Sequence, residues 1–271
     1  MAKPLARDAL GLGLRARHYP ELHEPWPEVD YFEIISENFL SEAEGPRYHL
    51  DRLRERYPIV LHGVGLNLLG PKLPSNDYLD RLAALAELVD APFVTDHLCW
   101  TGAEGVSHHD LLPVPYLSEL VELAAERARH VQQHLSRPFG LENLSSYLEF
   151  AASTMTEWDF YAKVVERAQC WFMLDINNIY VSSQNHRFLP SDYLARIDFS
   201  RVLQVHVAGH TREPNGIIID THDQPVAAEV WQLYADAFRR QPFPTLLEWD
   251  DHVPPLADAV SELGRAKAAR T

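Results

Sequence analysis

The chain is short of cysteine, of long apolar runs and of basic residues. Only Cys99 and Cys170 occur in 271 residues. Two thiols so placed make no disulfide framework, which excludes a stapled exported protein and leads us to expect a reducing cytoplasm. No stretch approaches the roughly 18 apolar residues of a membrane-spanning helix. The opening residues, MAKPLARDALGLGLRAR, lack the apolar centre of a secretory signal. Lysine and arginine number 24 against 39 acids, a net charge of −15. That balance argues against nucleic acid, whose phosphates demand a basic face, and against an anionic membrane surface. GLGLRA at 11–16 has the wrong spacing for a dinucleotide fingerprint, and no nucleophile elbow is present.

Apolar residues are plentiful: they make up 46% of the chain, with 6 tryptophans. They gather in short continuous runs. These are ALGLGL (9–14), YFEII (31–35), PIVLHG (58–63), PFVTDHL (92–98), PFGLEN (138–143), CWFMLDIN (170–177), RVLQVHVAG (201–209) and PTLLEWD (244–250). Continuous rather than alternating runs suit strands buried on both faces of a parallel sheet. Helical periodicity lies between most of them. Leu117, Leu120, Val121, Ala124, Ala128, Val131 and Leu135 share one face, and 76–90 and 226–240 repeat the pattern. Thr156 to Asp159 resembles a capping box, and shorter helices are expected at 47–56, 190–197 and 254–268. Strands alternating with helices over this length predict an α/β fold, a (β/α)8 TIM barrel, as a single domain over 1–271. The first unit, 9–30, leaves room for a helix of about two turns.

Such a barrel carries its active site at the C-terminal rim of its strands. The second run leads to Glu37, the third to His62 and the fourth to Asp96 and His97. The fifth reaches Glu142, and the sixth reaches Asp175 with Asn178 three residues on. The seventh reaches His206, and its loop carries His210, Asp220 and His222. The eighth reaches Glu248, with Asp250 just after. A wet rim explains one or two such residues, not a succession of them without a lysine or arginine among them. Carboxylates converging so densely would repel one another unless cations were held between them. Carboxylate and neutral imidazole are natural ligands, and the number available suits two or three ions. Asp220 and His222, two apart, are expected to face one side of an extended segment as a paired clip. His108, His109 and Asp110 form a further cluster with a weaker claim on the rim. Trp100, Tyr180 and Trp249 are candidate substrate walls. His130 and His134 are read as a solvated helix face.

These stretches also carry a resemblance. GLGLRARHYPEL, YFEIISENFL, LHGVGLNL, TDHLCW, HDLLPVPY, LENLSSYLEF, LDINNIYVSSQNH, VHVAGH, IDTHDQPV, VWQLY and LLEWD run from about residue 10 to 263. Together they resemble the multinuclear non-haem iron-dependent oxidative enzymes, the family that includes the methanobactin-biosynthesis oxidase. The resemblance implies a xylose-isomerase-like barrel holding two or three irons. It implies oxygen-dependent oxidation of a ribosomally made precursor peptide, usually at cysteine, with a small partner protein that recognises the peptide. By motif, the metal ligands would be His62, His97, Glu142, Asp175, Asn178, His206, Asp220, His222 and Glu248. His210 and Asp250 would support these ligands or take part in catalysis. The same barrel superfamily contains zinc endonucleases, in which the third residue after the sixth-strand aspartate is typically histidine. Here it is Asn178. It also contains metal-dependent isomerases that use a lysine, which this rim does not offer. A non-catalytic metal-binding protein is the remaining alternative.

Overall fold

A computed structural model describes residues 4–41, 44–103 and 106–271. In chain order the strands are β1 (Leu10–Gly13), β2 (Tyr31–Ile35), β3 (Ile59–Gly63), β4 (Val94–His97), β5 (Trp100–Ala103) and β6 (Val106–Leu112). They continue with β7 (Phe139–Glu142), β8 (Trp171–Asp175), β9 (Val202–Val207), β10 (Thr211–Arg212), β11 (Ile218–Ile219) and β12 (Thr245–Leu247). The helices are α1 (Glu44–Arg54), α2 (Asn76–Leu88), α3 (Ser118–Leu135), α4 (Glu157–Ala168), α5 (Ile176–His186), α6 (Pro190–Arg196), α7 (Ala228–Arg240) and α8 (Leu256–Ala269).

The eight expected runs form a closed parallel barrel in the order β1-β2-β3-β4-β7-β8-β9-β12, with β12 pairing back onto β1. This is the (β/α)8 architecture. Its strands are buried on both faces, so their continuous apolar character follows from packing rather than from amphipathicity. The helices cover the outside. α3 buries Val121, Ala124, Ala128, Val131 and Leu135, and each full-sized aliphatic contributes about 1.5–3 kcal/mol by leaving water. Thr156 caps α4 by accepting from Asp159 N at 3.3 Å, as the capping pattern requires.

Register decides what meets at the rim. His97 lies beside Glu142 across β4 and β7, and Asp175 lies beside His206 across β8 and β9. Residues from separate stretches thereby become neighbours at one level of the barrel.

Three local departures have physical causes. The first unit has no α-helix but a 3-10 turn, Ala16–Glu21, containing Pro20, which lacks the N–H a helix needs. The sixth strand ends at Asp175 as expected, but a helix not expected there, α5, follows at once, because Asp175 caps it by accepting from Asn178 N at 2.7 Å. Two antiparallel hairpins, β5–β6 and β10–β11, follow β4 and β9 where the sequence had suggested loops. No helix among the described residues is long and apolar enough to cross a membrane.

Candidate metal centre

The site is built first from imidazoles locked from behind. His62 Nδ1 donates to Thr95 Oγ1 at 2.8 Å, and Thr95 Oγ1 donates onward to Leu61 O. His97 Nδ1 donates to the Gly63 carbonyl at 3.1 Å. With Nδ1 committed to these acceptors in each ring, Nε2 is the atom left to face the centre. Both Nε2 atoms converge on Glu142 Oε2, at 3.2 Å from His62 and 3.0 Å from His97. A histidine whose outer nitrogen is held by oxygen is the usual arrangement around a metal.

The next group comes from β7 and β8. Asn143 joins the two strand ends: it donates to Asp175 O and accepts from Asp175 N, both at 3.0 Å. Asp175 spends Oδ1 on capping α5, which leaves Oδ2 facing inward. Asn178 donates from Nδ2 to Asn143 O at 3.1 Å, so its Oδ1 is the free end.

The third group comes from β9, β12 and the returning loop. His206 Nδ1 lies 3.0 Å from Glu248 Oε2 and 4.0 Å from Glu142 Oε1. His222 Nε2 lies 2.7 Å from Asp220 Oδ1 and 3.8 Å from Asp175 Oδ2. Its Nδ1 lies 3.1 Å from Asp250 and 3.3 Å from Glu248. Asp220 and His222 therefore do come together, though not on an extended segment. His222 has φ of 46°, in the left-handed region, and is pinned by His222 N to Gly209 O and by Asp250 N to His222 O. A bend, not a strand, brings the pair over the mouth. A non-glycine residue held there costs on the order of 1 kcal/mol or more, a strain typical of functional loops. Gly209 permits the close return, because a Cβ at that position would collide with the Gln224 carbonyl.

The centre opens into a cavity of about 210 Å3 lined by His62, His97, Glu142, Asn178, Asp220, His222, Glu248 and Asp250, with Ile35, Val64, Leu111, Leu144 and Tyr147 as walls. Asp175 and His206 lie beneath it, fully buried. Among the described residues, no hydrogen bond reaches Glu142 Oε2, Asp175 Oδ2, Asn178 Oδ1 or either ring nitrogen of His222. Buried polar atoms are rarely left so. Here Glu142 Oε2 faces the Nε2 atoms of His62 and His97, and Asp175 Oδ2 faces Nε2 of His222, as donors to a shared cation do. Trios of possible ligand atoms lie within 4.8 Å of one another at His62–His97–Glu142, Glu142–Asp175–His206, Asp175–His222–Glu248 and Glu33–His206–Glu248. The donor set fits hard or borderline divalent ions.

Electrostatics point the same way. Burial pushes Asp175 well above the ordinary carboxylate range, with Asp220 and Glu142 adding to it against His222. Burial pushes His62 well below the usual imidazole value, with His97 and His206 adding to it. Burial opposes a charge on His97 as well, but Glu142 overrides it and holds that ring up to about 9. Two unit charges 4 Å apart at an effective dielectric near 20 interact by about 4 kcal/mol. Inward-facing carboxylates at this density are costly unless protons or cations compensate them, and the groups gathered here could hold such cations.

Several expectations need correction. Glu37 and Asp96 do not join the centre. Glu37 accepts from Tyr78 Oη at 2.6 Å and Val64 N at 3.1 Å, and Asp96 accepts from Leu66 N and His97 N. Successive strand side chains alternate sides, so with His97 inward Asp96 must face outward. The rim also does carry an arginine. Arg15 Nη2 bonds Glu248 Oε1 at 2.9 Å and Asp250 Oδ1 at 2.7 Å, and its side chain is only 10% exposed. It follows β1, whose run ends without a ligand and so drew no attention. Glu33 was missed because it lies within β2 rather than at its end, although a carboxylate inside an apolar run is itself a signal. His210 stacks on Tyr180 and bonds Asn177 Oδ1 at 2.7 Å, and Asn177 Nδ2 donates to Asp220 Oδ1 at 2.7 Å. It therefore stands one residue back from the cavity. Asp250 lines the mouth and is half exposed. Asp110 lines the cavity, while the side chains of His108 and His109 lie outside the described set. Trp100, Tyr180 and Trp249 do not line it; Tyr147 does.

Fold and centre together define a xylose-isomerase-like barrel. Solved structures with this shape include a D-tagatose 3-epimerase-like protein, with a TM-score of 0.62, 16% identity and 97% of each chain covered. Another is a xylose isomerase-like TIM barrel protein from Mycobacterium smegmatis in complex with magnesium, with a TM-score of 0.60 and 13% identity over 93% of this chain and 86% of that one. At these identities the likeness is one of fold. The family is shown by sequence: the chain belongs to the RiPP precursor modification enzymes MbnB/TglH/ChrH, whose family model matches residues 9–271. This is the family that the motifs resembled. A "UPF0276 protein" of Caulobacter vibrioides is 48% identical over 263 residues, covering 96% of this chain and 94% of the relative.

Proposed function

We propose that this chain is a single-domain, cytoplasmic, multinuclear iron-dependent oxidase that uses molecular oxygen to modify cysteine residues of a ribosomally synthesised precursor peptide. Membership of the precursor-modifying family supports the substrate class. The observation that carries the metal reading is that Glu142 Oε2, Asp175 Oδ2, Asn178 Oδ1 and both ring nitrogens of His222 are buried without hydrogen bonds to satisfy them. His62, His97, Glu142, Asp175, Asn178, His206, Asp220, His222 and Glu248 would hold two or three ions. Iron bound there supplies oxidation by molecular oxygen and a positive charge that favours a thiolate.

The residues do the rest. In this reading one side chain of the peptide enters the cavity and its backbone stays outside. Ile35, Val64, Leu111 and Leu144 keep the walls apolar. Tyr147 Oη accepts from Asp220 N at 2.9 Å and so steadies the returning loop beside the entrance. Asp250, with Oδ1 held by Arg15 and Oδ2 near His222 Nδ1, is placed to take the thiol proton at the mouth. His210 acts through Asn177 on the position of Asp220. A small partner protein would recognise the remainder of the peptide.

The test combines metal analysis with turnover. Protein from iron-supplemented cells should carry two to three irons per chain. With the cysteine-bearing peptide encoded beside its gene, it should consume oxygen and change the peptide's mass. Glu142→Gln should lose at least one ion while keeping the fold. Zinc alone with no activation by ferrous iron would refute the oxidative reading, and full metal with full turnover in Glu142→Gln would remove Glu142 from the centre.

A further inference from the structure

His206 differs from the other two strand-end imidazoles in which face it turns inward. His62 and His97 are held from behind at Nδ1 and present Nε2. His206 is reversed. Its Nδ1 faces the centre, toward Glu248 Oε2 and Glu142 Oε1. Its Nε2 points to the barrel floor, 3.1 Å from Glu33 Oε1 and 3.2 Å from Glu33 Oε2. Glu33 rises from the middle of β2, is 2% exposed, and is tied in turn by Gln204 Nε2, which donates to its Oε2. Gln204 Nε2 also lies 2.7 Å from His206 Nε2. The carboxylate is the stronger acceptor for both nitrogens. With a proton on His206 Nε2 the ring and the amide are both donors, so neither accepts from the other and each makes a charge-assisted bond to Glu33.

We infer that Glu33 is a positioning residue for His206: it holds the Nε2–H and thereby commits Nδ1 as the atom turned to the ions. The inference rests on the metal reading above. Glu33, Gln204 and His206 then form one fixed stack, with Glu33 acting through the ring rather than as a ligand. A carboxylate behind a ligating histidine fixes its orientation and raises its basicity, and losing such a partner typically costs 10- to 100-fold in metal affinity. Glu33 and His206 are both buried, so water cannot replace the lost acceptor.

The test uses the full chain labelled with 15N-histidine and loaded with zinc as a diamagnetic probe. Long-range 1H–15N spectra separate rings coordinated through Nδ1 from those coordinated through Nε2, and the His206 signals are assigned by their loss in His206→Ala. In the wild type, His206 should be Nδ1-coordinated with a protonated Nε2. Glu33→Gln retains an acceptor oxygen, so it should keep that pattern and weaken zinc binding by less than about tenfold. Glu33→Leu removes the acceptor, so the His206 pattern should be lost and binding should weaken by roughly 10- to 100-fold with the number of ions unchanged. Nε2 coordination of His206 in the wild type overturns the inference while leaving the metal centre standing. Loss of one ion in both Glu33 variants also overturns it, because Glu33 would then be a ligand. A wild type with no zinc-bound histidine overturns the metal reading, and this inference with it.

Discussion

At the scale of single residues, charge placement controls the centre. Arg15 is the cation that ties Glu248 to Asp250. Removing one partner of a buried pair leaves the other uncompensated and costs about 3–5 kcal/mol. Asp250 is half exposed, so its share is screened and the lower end applies. Arg15→Gln should therefore destabilise the metal-free protein by about 3 kcal/mol. The loss should be smaller in the iron-loaded protein, where the ions compensate Glu248. Urea unfolding of both forms decides this; equal losses would mean that Arg15 does not share the charge field of the metals. A second residue, remote from the centre, gives a pH dependence. Burial holds the Glu157 carboxyl up to about 7, against hydrogen bonds from Tyr193 and Tyr116. A group raised above its unfolded value favours the fold fully below the ordinary range, near 4.5, and that contribution is lost as pH rises through about 7. Between pH 5 and pH 8 the wild type should thus lose stability relative to Glu157→Gln. The proposed metal ligands are the same in both proteins, so the difference isolates Glu157, and parallel stability curves would show that its carboxyl is not raised.

At the scale of elements, the β10–β11 hairpin is the piece whose order depends on both ligands and scaffold. Asn185 clamps it by donating to Ile218 O at 2.9 Å and accepting from Ile218 N at 3.0 Å. His222 anchors its far end at the centre. These two attachments should separate experimentally. His222→Ala should lower iron content and speed amide exchange across 211–223, because metal binding and local order are coupled. Asn185→Ala should speed exchange around Ile218 with iron content nearly unchanged. Unchanged iron in His222→Ala would mean that the histidine merely caps the surface. The same element shows where periodicity stopped being informative. Two residues apart in a strand means one face, and on that ground Asp220 and His222 were paired. They are paired, but by a left-handed residue and by Gly209 making room for the Gln224 carbonyl. Neither feature follows from spacing.

At the scale of the whole molecule, the barrel and the metal centre contribute to stability in different ways. The barrel rests on a continuous apolar core reaching from Leu10 to Ala266. Chelation should therefore leave the far-ultraviolet circular dichroism intact while lowering the melting temperature, because an ion bound only to the folded state stabilises it by mass action. The ligands must be deprotonated to bind, so iron affinity should fall as pH falls and uptake near neutrality should release protons. Calorimetry in buffers of different ionisation enthalpy measures that release. Uptake without proton release would contradict the raised position of Asp175 and His97.

The order of apolar runs and helical faces was enough to determine a parallel barrel, because strands buried on both sides need uninterrupted hydrophobicity and helices need a 3.6-residue stripe. It was also enough to nominate His62, His97, Glu142, Asp175, His206, Asp220, His222 and Glu248, along with Glu37 and Asp96, since ligand-type residues where apolar runs stop fall at the rim; Asn178 was added only by the family resemblance. Only the tertiary structure decided which of these groups turn inward and what holds them. Asp96 was set aside by the alternation of side chains along β4. Glu33 and Arg15 were added by contacts spanning most of the chain, from β2 to β9 and from β1 to the loop after β12. The reversed ring of His206 depends on a carboxylate 173 residues away in sequence. A one-dimensional pattern records which residues reach the rim; the direction of each polar atom is fixed by hydrogen bonds to partners that only the closed barrel brings within 3 Å or so.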